Sequence, residues 1–240
     1  MQSNKKWRSE KTSIFIGKEV KDMLDSWLQQ YREAVQREFG DRIRFIGLQG
    51  SQARGEAKEE SDIDVVLILD SFDYDDLMRY RKLLDQLPER EKICGFVSGE
   101  EELRQWDPAD LFQFYHDTIP LQGNLQWMED IITRKDIQRA VHMGACNLYH
   151  GCVHHALHSQ SAEGLQGMLK TARFILQAKY YLETGVYLKS RAEMMEKMQG
   201  MDMEILRGGM HEITVDEFPH YARLLMKWAQ EIILTGNINT

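Results

Sequence analysis

Apolar and polar positions divide the chain into two parts with different patterns. Between Val20 and Val35 apolar residues recur every three or four positions, which predicts an amphipathic helix that Gly40-Asp41 ends. Up to about residue 127, short apolar runs then alternate with helix-like stretches. The predicted strands are 43–48, 62–70 and 93–98, and the clearest helix between them is 75–87, which Pro88 closes. This alternation indicates a layered fold of the α/β or α+β class.

The remainder of the chain has a helical pattern almost throughout. The predicted helices are 129–158, 165–184, 191–199 and 215–234. A capping box formed by Ser190 and Glu193 predicts that one of them begins at Ser190. We therefore predict an α+β protein with two domains, 1–127 with a small mixed sheet and helices, and 128–240 with an all-α helical bundle.

The composition excludes several classes of protein. Hydrophobic residues make up 42% of the 240 residues and charged residues 28%, so the chain can form real cores. Its apolar runs are far shorter than the roughly 20 residues of a membrane span, and its charged N-terminus does not resemble a secretion signal. Three cysteines without metal-site spacing favour a reducing, cytoplasmic location. A net charge of -8 disfavours a general nucleic-acid binder but is compatible with a small anionic ligand such as a nucleotide.

Candidate chemistry is concentrated in residues 45–70. Asp62 and Asp64 are two positions apart on a predicted strand, so both side chains are expected on the same face. Two neighbouring carboxylates favour the binding of a divalent cation such as Mg²⁺. Upstream, Gly50-Ser51 directly follows a strand, where backbone amides and a small hydroxyl can contact a phosphate. Arg54 is a further candidate phosphate contact. Together these parts suit phosphoryl or nucleotidyl transfer.

The segment GSQARGEAKEESDIDVVL resembles the polymerase-β-type nucleotidyltransferase superfamily, with its Gly-Ser, ten intervening residues and Asp-x-Asp. It looks like the minimal nucleotidyltransferase and antibiotic adenylyltransferase members of that superfamily, including the aminoglycoside adenylyltransferases. The resemblance implies a nucleotidyltransferase fold over 1–127 and catalysis by Asp62 and Asp64. Mg²⁺ would be bound by these two aspartates, and the triphosphate of ATP or another NTP by Gly50 and Ser51. A nucleoside monophosphate, usually AMP, would pass to a hydroxyl while pyrophosphate leaves.

The C-terminal helical part carries a shorter resemblance to the helical domain of aminoglycoside adenylyltransferases. There a Thr-Gly turn precedes a lysine that reaches the nucleotide, and Thr184-Gly185 and Lys189 would fill those places. An ordinary surface lysine beside a helix start is the alternative. The acceptor is expected to be a hydroxyl of a small molecule, a protein or a tRNA, with its site between the domains. The sequence predicts no membrane partner and leaves homo-oligomerisation open.

One family feature is missing from the sequence. The next core strand normally supplies a third carboxylate, but residues 92–98 contain no Asp or Glu. Glu91 or Asp117 could substitute for it. Alternatively, the protein is a catalytically weak or inactive nucleotide-binding module of a regulatory or antitoxin-like kind, or a metal-dependent phosphohydrolase that releases phosphate.

Histidines recur at intervals of four residues within the predicted helix 129–158, at His142, His150, His154 and His158, with Cys146 in the same series. Because each step of four drifts about 40° around a helix, the whole series cannot form one site. One adjacent pair, such as His150 and His154, could bind a metal. Helix packing, or a polar rim, is the alternative.

Overall fold

The computed structural model describes residues 22–235, which divide into two compact units. The first unit contains the residues up to Gln105 together with Thr118–Asn124, and the second contains Trp106–Asp117 and the residues from Leu125 onward. The predicted domain boundary at 127/128 stays a prediction. Val20, at the start of the first predicted helix, lies outside the described residues.

A mixed four-stranded sheet organises the first unit. Its strands are β1 Ile43–Leu48, β2 Ile63–Leu69, β3 Ile93–Gly99 and β4 Ile119–Gln122, in the spatial order β3-β2-β1-β4. β1 pairs antiparallel with β2 and β4, whereas β2 and β3 are parallel. The three strands predicted from apolar runs are confirmed. β4 was not predicted, since it is short and contains Pro120, a residue typical of edge strands.

The first helix of this unit is α1, which spans 22–39 in the described chain. The others in this unit are α2 Gly50–Arg54, α3 Tyr74–Leu84 and α4 Glu100–Arg104. The buried face of α1 carries Trp27, Tyr31 and Val35, as its spacing predicts, whereas Met23 is 69% exposed and lies outside the core. This core includes Val65, so by strand alternation the side chain of Asp64 lies on the opposite face of β2.

The second unit is helical, as predicted. Its helices are α5 Pro108–Asp117, α6 Trp127–Ile131, α7 Arg134–His158, α8 Ala162–Thr184, α9 Arg191–Lys197, α10 Gly200–Gly208 and α11 Phe218–Thr235. The capping box is confirmed, because the Ser190 hydroxyl accepts from the Glu193 amide and the Glu193 carboxylate accepts from the Ser190 amide. α10 was not predicted, because it begins and ends at a glycine, a residue that typically marks a break between helices.

A single apolar core holds these helices together. α8 contributes the fully buried Leu165 and Ala172, α7 contributes Ala145, and α11 contributes Leu225. Among the described residues, 22–235, no helix combines the length and apolar character that a membrane crossing requires.

Candidate functional site

The chain bends sharply where β1 passes into α2. Gln49 is the turn residue, and its amide donates to the carbonyl oxygen of Asp64 at 2.7 Å, which ties the bend to the start of β2. α2 then begins at Gly50 with φ +69°, a left-handed conformation that glycine adopts without strain. The buried Ala53 anchors α2 to the core beneath the sheet.

Gly50 lies directly against the side chain of Asp64. A Cβ atom added to Gly50 would be 1.7 Å from Asp64 Oδ2 and 2.7 Å from its Cγ, so no other residue fits without moving the carboxylate. The amides of a first helical turn have no acceptor within the helix. The bend therefore places the start of α2, where these amides and the half-buried Ser51 lie, beside the carboxylate of Asp64.

Asp62 and Asp64 flank the first residue of β2. Ile63 between them is 6% exposed and belongs to the core, whereas Asp62 is exposed and Asp64 is half-buried. This alternation is typical of extended backbone, in which residues two apart share a face. Carboxylate oxygens are the donors that Mg²⁺ prefers, so the residue types fit this ion. Within residues 22–235, however, no group of three or more His, Cys, Asp or Glu side chains is arranged to hold a metal.

The neighbour of Asp64 on the next strand is a cysteine. β2 and β3 pair in parallel register, with Asp64 opposite Cys94 and Val65 opposite Gly95. In-register residues of parallel strands point to the same face, so the exposed Cys94 accompanies Asp64. The sequence showed that the strand 93–98 contains no Asp or Glu, but it did not show that Cys94 pairs with Asp64, because strand register is not visible in a single sequence.

The two candidate substitutes for a third carboxylate have different environments. Glu91 lies in a 3-10 helix, Arg90–Lys92, which precedes β3, so it is not a residue of that strand. Asp117 belongs to the second unit and is buried. It accepts hydrogen bonds from Gln113 at 2.6 Å and from Tyr187 at 2.8 Å.

Two predicted nucleotide-binding residues lie in segments that are held by contacts within their own units. Arg54 ends α2 with a side chain only 9% exposed, and its Nε lies 3.2 Å from Glu56 Oε2. Lys189 lies half-buried in the turn between α8 and α9. Its carbonyl oxygen accepts from Arg173 at 3.1 Å, while Gln177 donates to the carbonyl of Leu188 at 2.8 Å, so the backbone of this turn is held by buried side chains of α8. The nucleotide-binding roles of Arg54 and Lys189 stay predictions.

Comparison with known proteins identifies the segment that contains this site. Residues 28–115 match the family model of the nucleotidyltransferase domain. A curated relative from Methanocaldococcus jannaschii, named "Putative protein adenylyltransferase", is 43% identical over 54 residues, or 22% of this chain. This chain therefore spans about half the length of that relative, 51%.

Among solved structures, the fold is similar to that of spectinomycin adenyltransferase AAD(9) from Enterococcus faecialis, crystallised with ATP and spectinomycin. The TM-score is 0.56 at 11% identity, over 88% of this chain and 99% of that chain. A toxin-antitoxin structure with AMP-PNP matches 49% of this chain and 89% of its own, at 21% identity and a TM-score of 0.33. The first likeness extends the fold agreement beyond the sheet to the helical part.

The Gly-Ser bend, the Asp-x-Asp strand and the family match all fall within one segment. The resemblance seen in the sequence is thereby confirmed for residues 28–115, which match the model of the nucleotidyltransferase domain.

Proposed function

We propose that this protein is a Mg²⁺-dependent nucleotidyltransferase that transfers AMP from ATP to a hydroxyl group and releases pyrophosphate. The observation that carries the proposal is the direct packing of Gly50 against the carboxylate of Asp64 within a nucleotidyltransferase domain. A phosphate bound at the first turn of α2 would lie beside the carboxylate pair, which is the arrangement that a metal-bound triphosphate requires.

In the proposed reaction the acceptor oxygen forms a bond to the α-phosphorus of ATP. The bond between that phosphorus and the bridging oxygen breaks, pyrophosphate leaves, and the hydroxyl proton passes to a base or to water. Asp62 and Asp64 would hold Mg²⁺, which neutralises phosphate charge when bound. The backbone at Gly50 and the hydroxyl of Ser51 would orient the phosphates. Arg54 and Lys189 are the proposed cationic contacts.

The similar proteins support two kinds of acceptor. The Enterococcus faecialis adenyltransferase of similar fold was crystallised with spectinomycin, which supports a hydroxyl on a small molecule. The name of the Methanocaldococcus jannaschii relative supports a hydroxyl on a protein. A tRNA hydroxyl remains a third proposal, on the family resemblance alone.

The decisive experiment compares two aspartate variants. Asp64→Asn is expected to abolish Mg²⁺-dependent ATP binding and the incorporation of label from α-³²P-ATP into candidate acceptors, with the fold intact by circular dichroism. The matched control is Asp75→Asn, which makes the same change at an exposed position in the first turn of α3. Equal Mg²⁺-dependent binding and transfer by both variants would remove the basis of the proposal.

A second candidate function is nucleotide binding without transfer. The observation that favours it is the pairing of Asp64 with Cys94 rather than with a third acid. Mg²⁺-dependent ATP binding, with neither AMP incorporation nor pyrophosphate release for any acceptor, would select this function. Release of inorganic phosphate would instead indicate a phosphohydrolase.

A further inference from the structure

Three exposed histidines form a ridge along the last turns of α7. His150, His154 and His158 lie four residues apart, and each follows the last by slightly more than one helical turn. We call these three residues the histidine ridge. The ring centroids of His150 and His154 are 6.3 Å apart, and those of His154 and His158 are 4.9 Å apart. Nothing in the nucleotidyl-transfer chemistry described above uses these side chains.

The spacing of the rings distinguishes one pair from the other. With Zn–N bonds of about 2.0–2.1 Å, two imidazoles on one tetrahedral ion have ring centroids about 5 Å apart. The separation of 4.9 Å between His154 and His158 agrees with this value. The 6.3 Å between His150 and His154 is too long for the same angle at the metal. The structure therefore favours His154 and His158, the pair nearer the helix C-terminus, over His150 and His154, the pair given as an example from the sequence.

The surroundings of this pair favour a cation. α7 has 25 residues and ends at His158, so the pair lies at the end of the helix where the backbone dipole carries partial negative charge. Residues 140–162 contain no Lys or Arg, so this stretch has no fixed positive charge to oppose a metal. His155 is engaged elsewhere, because its Nδ1 lies 2.7 Å from the Ser159 hydroxyl.

We propose that His154 and His158 bind one divalent transition-metal ion of borderline softness, such as Zn²⁺. Imidazole nitrogens select Zn²⁺, Cu²⁺ or Ni²⁺, whereas the oxygen donors of Asp62 and Asp64 suit Mg²⁺. The described residues, 22–235, contain no group of three metal-binding side chains. The site accordingly has two protein ligands, and water or an external ligand completes the coordination.

The test uses the full chain, stripped with EDTA and titrated with ZnCl₂ in a calorimeter. An Asp64→Asn background removes the carboxylate pair as a competing site. One ion per chain is expected, and His154→Ala and His158→Ala are each expected to weaken binding by at least about tenfold, since even outer-shell partners contribute that much to metal affinity.

The matched control is His150→Ala, which removes an exposed histidine from the same helix and is expected to leave the Zn²⁺ affinity unchanged. Cys146→Ser is expected to have no effect either, which separates the pair from the exposed thiol. An equal loss in His150→Ala would overturn the proposal, as would Zn²⁺ affinity that survives in the His154→Ala/His158→Ala double variant. Because the metal is titrated without nucleotide, failure here is independent of the proposed transferase activity.

Discussion

Replacing Gly50 by alanine tests the geometry on which the candidate site depends. Gly50 has φ +69°, and an added methyl group would lie 1.7 Å from Asp64 Oδ2. Atoms cannot approach so closely, so either the carboxylate must rotate away or the start of α2 must shift. Gly55, the residue after the same short helix, provides a matched control, since it has φ +68° and no atom within 4 Å of an added Cβ.

The two substitutions share one energetic cost and differ in another. A left-handed conformation costs a residue with a Cβ roughly 1–2 kcal/mol relative to glycine, so Gly55→Ala should lower the free energy of unfolding by about that amount. Gly50→Ala adds the displacement of Asp64. If nucleotide binding requires the carboxylate in its present position, the loss of only about 1.4 kcal/mol of binding energy already weakens ATP affinity tenfold.

The assay is ATP binding by calorimetry with Mg²⁺ and with EDTA, together with urea unfolding of both variants. Gly55→Ala should bind Mg-ATP as the unaltered protein does, despite its lower stability. Gly50→Ala should lose at least about tenfold in Mg²⁺-dependent affinity. If both variants bind Mg-ATP equally tightly, the contact between Gly50 and Asp64 has no role in the site and the reasoning is refuted.

Three further predictions concern single side chains. Cys94→Asp places a third carboxylate in register with Asp64. It should lower the free energy of unfolding in EDTA by charge repulsion and increase the stabilisation that Mg²⁺ gives. Equal stabilisation of the variant and the unaltered protein by Mg²⁺ would contradict this. Arg42 donates two hydrogen bonds of 2.7 Å to Asp76, which is 5% exposed, so Arg42→Met should cost about 1–3 kcal/mol in urea unfolding at pH 7. The same hydrogen bonds lower the pKa of Asp76, so their contribution to stability is present above about pH 4 and is lost as pH falls through the lowered pKa. The free energy of unfolding of Arg42→Met should therefore fall less on acidification than that of the unaltered protein. An equal fall in both proteins would refute the pairing. Ser190→Ala removes the cap of α9 and should cost about 0.5–2 kcal/mol in the same assay, whereas Ser190→Asp should retain most of the stability.

Regular patterns made several elements predictable. The strand 43–48 agrees residue for residue with β1, because a continuous apolar run between turn residues has few alternatives. The capping box at Ser190 is local chemistry within four residues and is therefore visible in the sequence. Predictions failed where local signals were weak, as in the short edge strand with Pro120 and in α10 with a glycine at each end.

The candidate site likewise has features that the sequence predicts and features that it does not. Sequence spacing identified the Gly-Ser bend and the Asp-x-Asp strand, since their chemistry depends on residue types and on the two-residue period of a strand. It did not reveal that Cys94 pairs with Asp64, because register depends on how two strands distant in the chain align. Ring separations on α7 likewise depend on rotamers, which packing and solvent decide.

For this protein, the order of residues alone determined the class of fold, the positions of most helices and strands, and the resemblance of residues 28–115 to the nucleotidyltransferase domain. These properties depend on periodicity and on short motifs, which act within a few residues of the chain. Tertiary structure decided which atoms meet: Gly50 against Asp64, Cys94 beside it, and His154 nearer to His158 than to His150. Such contacts depend on strand register, backbone approach and side-chain rotamers, which are set only when the whole chain packs.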